Sequence, residues 1–154
     1  MNEINGDLNG AGKRFAILVT RFNSLVTEQL VAGAKDCLLR HGVAEENIDL
    51  YRVPGAWELP AATAKVVALG KYDGVVALGC VIRGGTPHFE YVAGEATRGL
   101  GAVAREAPIP VSLGVLTTDT VDQALERAGT KAGNKGWDAA LSALEMAELY
   151  RRME

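Results

Sequence analysis

No stretch of the sequence holds the ~18 consecutive apolar residues of a membrane-spanning helix, so no membrane partner is expected. Basic character is missing too. Sixteen Lys and Arg against 19 Asp and Glu leave a net charge of −3, which argues against broad nucleic-acid binding. Cysteine is scarce: Cys37 falls on an apolar helix face and Cys80 at a strand end, without metal-ligand spacing, so two buried free thiols are expected. Residues 1–12 are polar and glycine-bearing rather than the basic-plus-apolar pattern of a signal peptide, and the cytoplasm is the expected compartment.

Several signatures of cofactor chemistry are absent as well. There is no G-x-x-x-x-G-K-[ST], a spacing that 129–136 misses, and no G-x-G-x-x-G opens a helix. His88-Phe89-Glu90 mimics the H-x-E of zinc deaminases, but the companion P-C-x-x-C is lacking. Arg21 and Phe22 stand where a phosphoacceptor receiver domain needs acidic residues. No metal and no redox cofactor is expected.

What remains is 154 residues, 48% hydrophobic, enough for one domain with a substantial core. Residues 1–12 read as a flexible N-terminal arm and 13–154 as a single α/β domain. Apolar runs at 14–20, 48–53, 74–78 and 111–116 predict four buried strands. Helical spacing predicts helices over 24–41, closed by Gly42, and over 57–69, 86–106, 121–128 and 137–153. For the third of these, Thr86 suits the N-cap and Pro87 the first helical position, placing His88 in the first turn. Strand–helix alternation with short connections predicts a three-layer α/β/α fold, its four-stranded parallel sheet in the flavodoxin-like order 2-1-3-4. The apolar edge strand 111–116 would lack a partner, which predicts self-association.

Ligands of such sheets bind beyond the carboxyl ends of the strands where the order reverses, here between strands one and three. Phe22, 55–58 and 80–88 converge there. Phe22 and Trp57 can wall a planar ring, Glu58 can accept from hydroxyls, and the 84–86 backbone can donate to a phosphate. Taken singly, Phe22 reads more readily as a core plug and His88 as a solvated first-turn histidine, and Glu58 can also be read as a partner for a helix terminus. Their convergence on one crevice is what favours a site. Arg127 closes a helix running back from the carboxyl edge, so it reaches such a crevice only from a neighbouring subunit.

Arg21-Phe22-Asn23, Pro54-Gly55-Ala56-Trp57-Glu58, the stretch 79–88 and the stretch 127–136 (RAGTKAGNKG) together resemble the lumazine synthase family, in order and over nearly the whole chain. The resemblance implies an enzyme that condenses 5-amino-6-(D-ribitylamino)uracil with 3,4-dihydroxy-2-butanone 4-phosphate, releasing phosphate and water, to give 6,7-dimethyl-8-ribityllumazine, the penultimate step of riboflavin biosynthesis. It implies that Phe22 stacks on the pyrimidine, that Ala56, Trp57 and Glu58 hold that substrate, and that Cys80, Val81 and Ile82 meet it through backbone groups. Gly85 and Thr86 would cradle the phosphate, Arg127 of the adjacent subunit and Lys135 would complete that side, and His88 would carry protons. Leu113 stands where the family often has phenylalanine, which keeps an apolar wall and removes ring stacking. The resemblance further implies a homopentamer, twelve of which close into an icosahedral shell with a riboflavin synthase as candidate cargo. The alternatives are an archaeal-type riboflavin synthase and a non-catalytic flavin- or lumazine-binding shell protein.

Overall fold

Phe15–Thr20 (β1) carries no charged residue and is buried from end to end in the computed structural model, which describes residues 1–131 and 133–154. A strand buried on both faces needs a covering layer on each. Helices Ser24–Arg40 (α1), Leu59–Ala68 (α2), His88–Glu106 (α3), Val121–Arg127 (α4) and Lys135–Met153 (α5) provide them, around strands β1, Ile48–Val53 (β2), Gly74–Ile82 (β3) and Val111–Thr118 (β4). All neighbouring strands pair in parallel, in the order β2-β1-β3-β4, as the sequence predicts.

Strand alternation divides the core into two layers. Phe15, Ile17, Val19, Val76, Leu78 and Cys80 pack with Leu30, Leu38 and Leu144, on the side of α1 and α5. Ala16, Leu18, Val75, Ala77 and Val81 pack with Leu59, Val66, Ala96 and Leu100, on the side of α2 and α3. Both cysteines are buried and free, as expected.

Most departures from the sequence reading lie at element ends. β3 runs four residues past Leu78 and β4 two past Leu116, because the β3–β4 ladder continues in register to Ile82↔Thr118. α3 begins at His88 rather than at 86. Pro87 is its N-cap, the Glu90 amide bonds the Pro87 carbonyl (3.2 Å), and Thr86 makes no cap. α2 begins at Leu59, so Trp57 lies in the preceding turn and Glu58 at the cap. α4 stops one residue short, at Arg127, after a Thr120–Gln123 capping box at its start. α5 starts two residues early, at Lys135, because the Asn134 side chain accepts from the Trp137 amide at 3.0 Å. A single 3-10 turn, Glu45–Asn47, was not legible in the sequence. Ala132, within the 127–136 motif, lies outside the described residues.

Residues 1–12 form no helix or strand and lie against the end of α5. Arg152 donates to the Asn5 carbonyl and to Asp7 Oδ2, and Gly10 N donates to His41 O at 2.8 Å. At the root of this contact Glu148 is buried and meets Arg151, Lys13 (3.3 Å) and Arg152 (3.2 Å). Arg151 above all, with Lys13, holds its carboxyl down at about 2. A depressed carboxylate contributes stability above its ordinary value of 4.5 and loses it as pH falls towards about 2. Glu148→Gln is therefore expected to lower the denaturant midpoint at pH 7 and to flatten its fall between pH 4.5 and 2. Midpoints measured across that range check this.

Candidate active site

Between the carboxyl ends of β1 and β3 lies a cavity of about 620 Å³. It forms where the strand order reverses, since the first crossover covers one face of the sheet and the next covers the other. β1 ends at Thr20, level with Gly79 in the register of the ladder, so β3 overhangs it by three residues, Cys80 to Ile82. That free flank is the back wall of the cavity, where Asn23 Nδ2 donates to the Cys80 carbonyl at 3.0 Å. Asn23 is held in the left-handed region (φ 63°), which asparagine tolerates better than most residues.

Of the residues singled out in the sequence, Phe22, Ala56, Trp57, Glu58, Cys80, Val81, Ile82, Thr86 and His88 all line this one cavity. Phe22 is 73% exposed and Trp57 63%, so neither is a core plug. Both are large apolar rings left open to the cavity. Glu58 stands at the N-cap position of α2, where its side chain makes no cap hydrogen bond, and it lines the cavity. Burial pushes the Cys80 thiol up to about 11, which leaves it protonated at neutral pH and a poor nucleophile.

The loop 83–87 joins the overhang to α3. A Cβ built at Gly84 or Gly85 meets nothing within 4 Å, so the backbone of this loop is open to an approaching group. Its flanks are tied down by Arg83, which the sequence reading left without a role. Arg83 Nε donates to Asp119 Oδ1 at 2.8 Å, a second nitrogen donates to Glu90, and the guanidinium lies 4.5 Å from the Phe89 ring centre. This pairing holds the Glu90 carboxyl below its ordinary range. His88, exposed, opens α3 at the edge of the cavity. Tyr91 and Val92 also line it and were missed. Their spacing of three and four from His88 puts them on its helix face, a signal that could have found them.

Leu113, Arg127 and Lys135 are elsewhere. Leu113 and Lys135 border a shallow cleft of about 250 Å³ between β4 and α5. Arg127 and Lys135 border another, of about 390 Å³, with Asp138 and the end of β4. No Lys or Arg lines the first cavity, whose titratable lining includes Glu58 and His88. Within one chain, then, a phosphate in the cavity would meet backbone donors but no cation. No group of three or more potential metal ligands occurs among the described residues.

A family model described as 6,7-dimethyl-8-ribityllumazine synthase matches residues 12–151. The chain is 55% identical, over 99% of both chains, to the 6,7-dimethyl-8-ribityllumazine synthase of Chlorobaculum tepidum. It is 60% identical to that of Anaeromyxobacter sp. (strain K), over 98% of this chain and 93% of the relative. Identity to that of Chlorobium chlorochromatii is 54%, over 99% of both.

Proposed function

The chain belongs to the 6,7-dimethyl-8-ribityllumazine synthase family, a family of transferases in riboflavin biosynthesis, and we propose that it joins 5-amino-6-(D-ribitylamino)uracil to 3,4-dihydroxy-2-butanone 4-phosphate. The observation that carries this reading is the gathering of Phe22, Ala56–Glu58, Cys80–Ile82, Thr86 and His88 on one cavity. In this reading the pyrimidine stacks against Phe22 beside Trp57, its polar edges meet the backbone of the β3 overhang, and its ribityl hydroxyls reach Glu58. The butanone phosphate sits at the Gly85–Thr86 backbone.

The reaction needs imine formation, elimination of phosphate and ring closure. Each moves a proton near neutral pH, a task suited to imidazole, and we assign it to His88. With Cys80 held as a neutral thiol, the cavity offers no activated nucleophile. Much of the acceleration then comes from holding an amine and a carbonyl together. Purified protein given both substrates is expected to produce the absorbance of the lumazine. His88→Ala is expected to lower kcat between about tenfold and a hundredfold while KM for the pyrimidine stays near the parent value. No lumazine from the two precursors would sink the reading, and an unchanged kcat would remove His88 from it.

The phosphate needs a cation, and the cavity lining supplies none. We assign that cation to Arg127 of an adjacent subunit, together with Lys135, with Leu113 as the apolar wall from the same neighbour. A ring of five subunits places each chain's Arg127 face against the next chain's cavity, and twelve such rings make the shell proposed here. Arg127→Ala is expected to raise KM for the phosphorylated substrate about tenfold or more, as loss of a charge-assisted contact does. Co-expressed His88→Ala and Arg127→Ala chains are expected to exceed the activity of either alone, because mixed rings contain some intact sites. Equal activity would place both residues in one subunit's site. Light scattering on the parent protein checks the shell: a particle of pentamer size at neutral pH would rule it out.

A further inference from the structure

Arg127 and Lys135 flank a loop, and the side chain that closes that loop is Asn134. Its Nδ2 donates to the Ala128 carbonyl at 3.0 Å, drawing the end of α4 onto the start of α5, where Ala128 and Asn134 also form an antiparallel bridge. The same Nδ2 donates to the Gln29 carbonyl of α1 at 2.9 Å, so the closed loop is fastened to a helix of the core. Its Oδ1 meanwhile caps α5 through the Trp137 amide. One amide thus fixes Arg127, immediately before Ala128, and Lys135, immediately after itself, relative to each other and to α1.

The surroundings are built around that amide. At Gly33, four residues along α1 from Gln29, a Cβ would stand 2.3 Å from Asn134 Oδ1. At Gly136 a Cβ would stand 2.0 Å from the Leu30 carbonyl oxygen. A side chain at Gly33 would displace the Asn134 amide, and one at Gly136, which would meet the α1 backbone, would force the two helices apart. A helix cap alone needs neither glycine, and a serine would serve for it. The donor half of the amide and the room made for it therefore serve the loop rather than the helix start.

We propose that Asn134 is the positioning residue for the phosphate-binding pair Arg127 and Lys135, setting the spacing at which the two cations are presented to the neighbouring subunit. The inference rests on the phosphate role given to Arg127 above. Its test is Asn134→Ser, which keeps a capping oxygen, adds no charge and cannot reach Gln29 O and Ala128 O. Gly33→Ala, which displaces the amide without altering it, is read in parallel. In steady-state assays, both variants are expected to raise KM for the phosphorylated substrate about tenfold, leaving kcat and KM for the pyrimidine within about twofold. In the double variant Asn134→Ser/Arg127→Ala, the KM increase is expected to fall short of the product of the two single increases, since Asn134 acts partly through Arg127 and only its effect on Lys135 remains. If Arg127→Ala raises that KM and neither Asn134→Ser nor Gly33→Ala does, the positioning role is wrong and the phosphate reading stands. If the variants lower kcat and raise both KM values alike, Asn134 only holds the fold together and the proposal fails. If Arg127→Ala itself leaves the KM unchanged, the phosphate reading and this inference fall together.

Discussion

Burial of β1 on both faces is the constraint from which the rest follows. A strand such as Phe15–Thr20, with every residue inside, must have helices above and below it and strands at both edges. Parallel neighbours joined by right-handed crossovers achieve this only if the chain leaves β1 on one side and later returns on the other. The two crossovers then part at the carboxyl ends of β1 and β3, and that parting is the cavity. The overhang of β3 deepens it. Because β4 supports Cys80–Ile82 on one flank, these residues stay extended while their other flank faces the crevice. A planar substrate with polar edges thus finds both ring surfaces and a strip of strand backbone in one place.

The same constraint limits what a single chain can supply. The helices that could bring a cation to the cavity, α4 and α5, start beyond β4 and carry Arg127 and Lys135 to clefts of their own. The guanidinium of Arg83, at the start of the loop 83–87, is engaged by Asp119 and Glu90 and is not among the cavity lining. A phosphate bound only by exposed backbone amides would be weakly held and sensitive to salt. In the reading proposed above, division of the site between two subunits would answer this, with Arg127 and Lys135 of a neighbour supplying the missing charge.

The sequence showed the fold well because its strongest signals, uncharged apolar runs and helical spacing, are those that burial of β1, β3 and the helix faces demands. It showed element ends less well. The apolar run of the third strand stops at Leu78, yet Gly79 continues β3 because the β4 ladder holds it there. Thr86 reads as a cap by residue type, but Pro87 takes that place and the threonine lines the cavity instead. Phe22 was ambiguous for a different reason: an aromatic after a strand looks the same whether it plugs a core or walls a pocket, and only exposure separates the two. Asn134 and Gly33 were invisible as partners, since no local pattern links residues about a hundred positions apart through one amide.

This division also bears on how the catalysis is shared out. The thiol lining the cavity is held protonated, and the imidazole stands exposed at the start of a helix. An enzyme so equipped must rely on geometry, and geometry tolerates little slack, because an error of about 1 Å in placement can cost a hundredfold in rate. That explains where the rigid contacts lie. Arg83 clamps the donor loop and the start of α3, while Asn134, seated against Gly33, clamps the cations. Neither residue needs to touch a substrate. In the proposed arrangement they would set the two halves of the phosphate site, one on each of two subunits, and the packing between those subunits would set the distance that remains.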